Sequence, residues 1–426
     1  MHSRYLIKRI LAVAGSVLIL TIACRDKDVE TFPKTFAVDI IGSDDIYPDA
    51  WVIVGNADAA TVLAARRVTG EGLMDFGDTG ADRISVSIAY RSGYHNGYRD
   101  IHVDSYLNVY GGTWTWVRGS RPTIGTATVT LHFPPGYNSY SVAIPSARRA
   151  KGDTIAYTDT LWTETIDVQQ LESEDRLSVY AMVWNMSGSS LSGWIVNQPF
   201  QRDQDNTYDV YLTEPIPSNY IVCSRPVDHI WMDGYRSPAC IQYPLTWPRH
   251  YDMSGWADFD FIVPAFPVDK RCLTIYGSEG NEGYHAEICG QEIPSSLVIA
   301  PYVTTASYDA ETSQIGNIQF SGAADAVVGM YMLNYEGVYN NSWIIHAPPG
   351  TASIGLPVLP DSIAAAIPFD RNSLWAVVCS ARDYNTVFDY DGYVDLLCRS
   401  ATGVACQYDL LYESRRLLQG SWEPPY

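Results

Sequence analysis

From Phe36 onward, apolar and polar positions alternate every second residue in short runs. The clearest are Ile84-Ser85-Val86-Ser87-Ile88, Ala127-Thr128-Val129-Thr130-Leu131, Leu177-Ser178-Val179-Tyr180-Ala181-Met182-Val183 and Tyr208-Asp209-Val210-Tyr211-Leu212. Alternation of this period sends one set of side chains to each face of an extended chain, so each run predicts a half-buried strand. β-branched and aromatic residues, which suit a pleated surface, dominate them. Pro134-Pro135-Gly136, Tyr110-Gly111-Gly112 and Asp391-Gly392 punctuate the runs, at the roughly 8 to 15 residue spacing of turns in stacked sheets. Only Leu410 to Leu418 reads as a short helix. The pattern predicts an all-β chain of tandem β-sandwich domains.

The chain ahead of Phe36 has a different texture. Arg4, Lys8 and Arg9 precede an almost unbroken apolar run from Ile10 to Ala23. A cationic start and a short apolar core are the marks of a signal peptide, and the run falls short of the about 20 residues that a membrane-crossing helix needs. It ends in Leu20-Thr21-Ile22-Ala23-Cys24, which resembles the lipobox of bacterial lipoproteins, with Thr21 where Leu is preferred. The resemblance implies a signal peptide over residues 1–23 and acylation of Cys24. It further implies lipid anchoring to a bacterial membrane, at the outer membrane or cell surface. More than one acyl chain is needed for stable attachment. Arg25-Asp26-Lys27-Asp28-Val29-Glu30 then reads as part of a tether over residues 24–35, similar to the acidic stretches that follow the lipidated cysteine in some surface-exposed lipoproteins.

Within residues 36–118, the stretches Tyr47 to Val54, Arg67-Val68-Thr69-Gly70-Glu71-Gly72 and Phe76 to Val86 resemble the carboxypeptidase regulatory-like, or transthyretin-like, β-sandwich domain. Members of that family are mostly structural spacers in secreted and surface proteins. Gly70 and Gly72 are expected to supply turn dihedrals that residues with side chains resist. Further along, Leu131-His132-Phe133-Pro134-Pro135-Gly136 matches Ile345-His346-Ala347-Pro348-Pro349-Gly350, and the strand run at Leu177 parallels Asn372 to Val378. Two related sandwiches, transthyretin-like or immunoglobulin-like in kind, are therefore expected at 119–216 and 299–418. A disulfide-containing β domain at 217–298 separates them, and 419–426 forms a tail. His132 and His346, each ahead of Pro-Pro-Gly, are read as strand-end caps.

Seven cysteines follow Cys24, and an exported chain favours pairing. Cys223 with Cys240 and Cys272 with Cys289 are each 17 apart, and Cys398 with Cys406 spans a smaller loop, leaving Cys379 over. No Cys-x-x-Cys pair supports zinc. The repeated Asp-x-Asp-x-x-x-Asp at Asp203, Asp205 and Asp209, and again at Asp389, Asp391 and Asp395, offers hard oxygen ligands of the kind Ca²⁺ takes. The competing reading is a turn followed by a solvent-facing strand residue. Calcium is the sole cofactor considered.

The sequence carries no His-Glu-x-x-His, no Gly-x-Ser-x-Gly and no phosphate loop. A formal net charge of −20 repels phosphate backbones and disfavours nucleic acid as a partner. Trp231, Trp247 and Trp256 lie in a region rich in aromatics and carboxylates. They are candidate ligand-binding rings if exposed, and sandwich core if not. These features point to a non-catalytic, membrane-anchored envelope or surface lipoprotein serving adhesion, display or assembly through protein contacts. The alternative is a carbohydrate-binding accessory lipoprotein of a glycan-uptake system. A hydrolase built on acids such as Asp258 and Asp260 ranks third.

Overall fold

A computed structural model describes residues 33–41, 49–95, 98–117, 123–144, 151–169, 171, 173, 175–185, 188–236, 241–244, 251–262, 265–292, 294–297, 304–320, 322–335, 338–399 and 410–422. The alternating runs are strands throughout, and the chain is all-β. The first seven are β1 (Thr35–Ile41), β2 (Asp49–Asn56), β3 (Val62–Arg67), β4 (Gly72–Asp78), β5 (Ile84–His95), β6 (Tyr98–Val109) and β7 (Gly112–Val117). They form two layers, β4-β1-β7 over β3-β2-β5-β6. Phe36, Val38 and Ile40 of β1 meet Val52, Val54, Ile84 and Val86 between the layers. Trp114 is 1% exposed and stands edge-on to Phe36 and to Tyr106, at 5.6 and 5.2 Å. Burying each such large ring stabilises by about 1.5 to 3 kcal/mol. Of the two turn glycines, Gly72 has φ +113°, whereas Gly70 needs no positive φ.

The next group is β8 (Gly125–His132), β9 (Ser139–Ala143), β10 (Lys151–Thr154), β11 (Leu161–Val168), β12 (Arg176–Trp184), β13 (Ser190–Pro199), β14 (Asp205–Tyr211) and β15 (Glu214–Pro215). It is a second sandwich, β11-β8-β14 facing β10-β9-β12-β13-β15, around Val129, Leu131, Val142, Leu177 and Val210. β8 alternates perfectly: Ala127, Val129 and Leu131 are buried, and Thr128, Thr130 and His132 point outward.

Then come β16 (Ser218–Arg236), β17 (Ile241–Pro244), β18 (Tyr251–Ile262), β19 (Lys270–Glu279), β20 (Glu282–Gly290) and β21 (Ser296–Leu297). The last are β22 (Thr304–Asp309), β23 (Gln314–Phe320), β24 (Ala326–Tyr335), β25 (Val338–Ala347), β26 (Leu374–Tyr384) and β27 (Leu410–Gly420). Most of these join the first group in one fourteen-stranded sheet, β17-β16-β19-β20-β27-β26-β24-β25-β6-β5-β2-β3, with β18 and β21 attached to β16. The seam with the first sandwich is parallel, Ser342 opposite His102 through His346 opposite Tyr106. The seam between β20 and β27 is antiparallel. Hydrogen bonding thus runs unbroken through three of the segments the sequence separates.

One expectation changes. Leu410 to Leu418 is not helical but lies in β27, hydrogen-bonded to β20 on one side and β26 on the other. Leu411, Glu413 and Leu417 are buried there, and partners on both edges override a local pattern whose charges resembled a helix surface. The two Pro-Pro-Gly segments leave strands that lie in different sheets. β8 is central in a three-stranded sheet and parallel to β14, whereas β25 lies between β24 and β6 in the large sheet. β12 pairs β9 and β13, whereas β26 pairs β24 and β27.

Candidate functional site

Charged side chains are concentrated inside the large sheet. Glu413 of β27 is 2% exposed and stands in register with His285 of β20 and Arg382 of β26. Its carboxylate accepts from Arg382 Nε at 3.0 Å, Ser380 Oγ at 2.8 Å and Arg415 Nη2 at 2.7 Å, with His285 Nδ1 3.4 Å away. Burial alone would raise the Glu413 carboxyl, but Arg382 and Arg415 outweigh it and hold it well below the usual carboxylate range. His285 also goes against its burial, raised by Glu287 and Glu413. Tyr276 stacks on the His285 ring at 4.2 Å.

The row continues across the sheet. Arg382 Nη1 donates to the Tyr393 hydroxyl at 3.3 Å, and His346 Nδ1 lies 2.7 Å from the same hydroxyl. Tyr393 comes from the short helix Tyr390–Val394, which covers this face. Tyr106 of β6 stacks flat on His346 at 4.4 Å. Burial, then Arg382, pushes the His346 imidazole well below its ordinary value. The bonds are structural in reach: Glu413 accepts from β26 and from its own strand, and the Tyr393 hydroxyl joins Arg382 and His346, so these groups link β25, β26, β27 and the covering helix. Neither Glu413 nor Arg382 stands out in the sequence. The signal was Leu411-x-Glu413-x-Arg415-x-Leu417, a period-two run with charges on the inward face.

A second constellation faces outward. On β11, β8 and β14 the positions pair as Leu161–His132–Tyr211, Thr163–Thr130–Asp209 and Thr165–Thr128–Thr207. His132 Nε2 lies 2.8 Å from Asp209 Oδ1, and Tyr211 stacks on the His132 ring at 4.5 Å and 13°. Thr128 and Thr165 share a 3.0 Å hydrogen bond, Thr130 and Thr163 one of 3.3 Å. Tyr211 remains 64% exposed and Leu161 52%. His132 therefore braces Tyr211 and Asp209, and His346 is locked to Tyr393; neither acts as the strand-end cap expected of it. Two open grooves, of about 510 and 650 Å³, flank the 314–318 strand and the 350–358 loop, and each is lined by a single carboxylate, Asp309 and Asp58.

The acidic triplets do not converge as the calcium reading required. Asp205 accepts from Thr126, Asp209 from His132, and Asp203 sits in a turn at φ +56°. Asp389 caps the Tyr390–Val394 helix by accepting from Gly392 N at 2.9 Å. Asp391 makes a two-bond pair with Arg83 at 2.6 and 3.1 Å, and Asp395 pairs with Arg399 at 2.6 Å. Among the described residues no group of three or more metal-ligating side chains converges. Strand-to-strand and capping bonds claim these carboxylates instead.

Of the cysteine pairs, Cys272 and Cys289 face each other across the β19–β20 hairpin with sulfurs 2.03 Å apart. Cys223 and Cys398 are buried free thiols, as is Cys379, so the bridges expected of Cys223 and Cys398 do not form. Each thiol points into an apolar core, and burial lifts Cys223 to about 11 and Cys398 to about 12. Their expected partners Cys240 and Cys406 lie outside the described residues, as do Cys24 and Trp247. Trp231 is half-buried and stacks on Tyr276 at 5.0 Å, so it belongs to the sheet surface rather than to an open platform. The side chains of Trp256, Asp258 and Asp260 fall outside the described set.

No family model matches the chain, and no curated protein does. Among solved structures it is similar to a candidate adhesin from Bacteroides ovatus, at 10% identity over 45% of this chain and 97% of that one, TM-score 0.17. It is also similar to a Ca²⁺-stabilised adhesin with which an Antarctic bacterium binds ice (10%, 83% and 96%, TM-score 0.13). A third is SGBP-B of the mixed-linkage glucan utilisation locus of Bacteroides ovatus, in complex with a mixed-linkage heptasaccharide (8%, 92% and 97%, TM-score 0.14). Similarity this low carries no functional weight.

Proposed function

We propose that the protein is a non-catalytic lipoprotein of a bacterial envelope, held to the membrane through Cys24, that displays a rigid β scaffold for adhesion or assembly. One observation carries the reading. The strongly perturbed groups Glu413, His285, His346 and Arg382 are spent on joining strands of the large sheet to one another and to the helix that covers it. A catalytic site needs such groups aimed at a space where a substrate fits. The N-terminal layers, three strands over four, fit the regulatory-like sandwich that the sequence resembles, a module used as a spacer. No helix among the described residues is long and apolar enough to cross a membrane.

The test is metabolic labelling with an alkyne fatty acid, followed by protease shaving of intact cells. Wild-type chain incorporates the label, sediments with membranes and is cleaved from outside, and Cys24→Ser loses both label and sedimentation. Membrane retention of Cys24→Ser, or turnover of a substrate by the purified chain, overturns the proposal.

A further inference from the structure

We infer that the outward face of β11, β8 and β14 binds a neutral polysaccharide, with Tyr211 as the stacking platform and Asp209 as the hydroxyl acceptor. This rests on the reading of the chain as a display scaffold and supplies its ligand.

The geometry comes first. Three strands at about 4.8 Å spacing, with outward residues every about 6.7 Å, make a face roughly 10 Å wide and 20 Å long. That is a flat strip suited to an extended chain rather than a cavity for a small molecule. The underside of the same strands is packed into the sandwich core, so the strip is rigid before anything docks. Among the described residues β14 pairs only with β8, so one side of the Tyr211 ring rests on His132 while the other faces past the sheet edge.

The chemistry then narrows the occupant. The outward positions hold six threonines, three aspartates, Leu161, His132 and Tyr211, with no lysine or arginine. Asp167, Asp205 and Asp209 exclude a uronic-acid or sulfated chain by like-charge repulsion. A basic peptide would meet exposed carboxylates worth only about 0 to 1 kcal/mol apiece and would leave the threonine rows unused. A neutral sugar chain satisfies all three groups. Its apolar C–H face covers the ring, and its hydroxyls donate to aspartate oxygens, each with lone pairs to spare. The same hydroxyls exchange with threonine Oγ groups that both donate and accept. Asp209 is 59% exposed, so its bond to His132 orients it without occluding it.

Affinity electrophoresis of the mature chain in gels containing galactomannan, xyloglucan or soluble starch tests this, with polygalacturonate as the anionic comparison. The expected result is retardation in at least one neutral gel and none in polygalacturonate. Tyr211→Ala should weaken that retardation at least about tenfold, and Asp209→Asn should weaken it less. Both side chains are exposed, so circular dichroism melting curves should match wild type. Migration unaffected by all three neutral polymers, equal binding to polygalacturonate, or full retention by Tyr211→Ala overturns the inference. In any of these cases unchanged fatty-acid labelling and shaving leave the scaffold reading standing, whereas loss of label dependence on Cys24 removes that reading whatever the gels show.

Discussion

Replacing Glu413 by Gln isolates the charge that organises the middle of the large sheet. The amide keeps the size and one acceptor but removes the negative charge shared by Arg382, Arg415 and His285. Breaking a buried pair by neutralising one partner costs about 3 to 5 kcal/mol, because the remaining charge is stranded. Arg382 is 19% exposed and Arg415 25%, so water reaches both, and the lower end, about 3 kcal/mol, applies. Removing the opposite charge as well should recover part of it, since an apolar pair of similar volume is often neutral. The assay is urea unfolding by circular dichroism of wild type, Glu413→Gln, Arg382→Met and the double variant Glu413→Gln/Arg382→Met. The midpoint is read for the transition that includes β26 and β27, since a chain of this size need not unfold in one step. The double variant should be less destabilised than the sum of the singles by 1 kcal/mol or more. A Glu413→Gln change under 0.5 kcal/mol, or additive singles, would refute the claim that this cluster holds the sheet together.

Other consequences follow from the same structure. His346 is held neutral in the fold while an unfolded His titrates near 6.5. Below that pH the unfolded state binds the extra proton, so the contribution of His346 is complete above about 6.5 and is lost as the pH falls. His346→Gln should raise stability at pH 5 relative to pH 7 by about 2 kcal/mol over wild type, read from melting at the two pH values. Asp325 works in the opposite sense: burial raises it to about 6, so its contribution is full below about 3.9 and is lost as pH rises through about 6. Reducing Cys272–Cys289, whose members are 17 residues apart, should destabilise the β19–β20 region by about 3 kcal/mol in the loop-entropy account. Urea melts with and without dithiothreitol measure it. At Gly193 on β13 an added Cβ meets the Tyr211 carbonyl, so Gly193→Ala should cost about 1 to 3 kcal/mol as overpacking and displace Tyr211, visible in its near-ultraviolet dichroism.

The strand runs were legible because one face of each packs on a core: Ile84 to Ile88, Ala127 to Leu131 and Tyr208 to Tyr211 fall in β5, β8 and β14, and Leu212 just beyond is buried. β27 was not, since its charges mimic a solvated helix face, and besides the nearby Arg415 the groups that neutralise Glu413 lie 31 and 128 positions away along the chain, at Arg382 and His285. His132, Asp209 and Tyr211 were each visible in the sequence. What placed them together is the parallel register of β8 with β14, which no local pattern encodes. Spacing found the Cys272–Cys289 bridge because a hairpin converts equal arms into facing residues. The same arithmetic misled for Cys223, whose strand runs through a core instead.

The parallel seam between β6 and β25 sets an order of events. Ile101 N donates to Asn341 Oδ1, a partner 240 residues further along the chain. During synthesis β6 would therefore stand as an open, adhesive rim until β25, at Val338–Ala347, had followed it out of the ribosome. A fragment stopped short of β25 would keep that rim open, and its unpaired edge would favour aggregation over a smaller working protein.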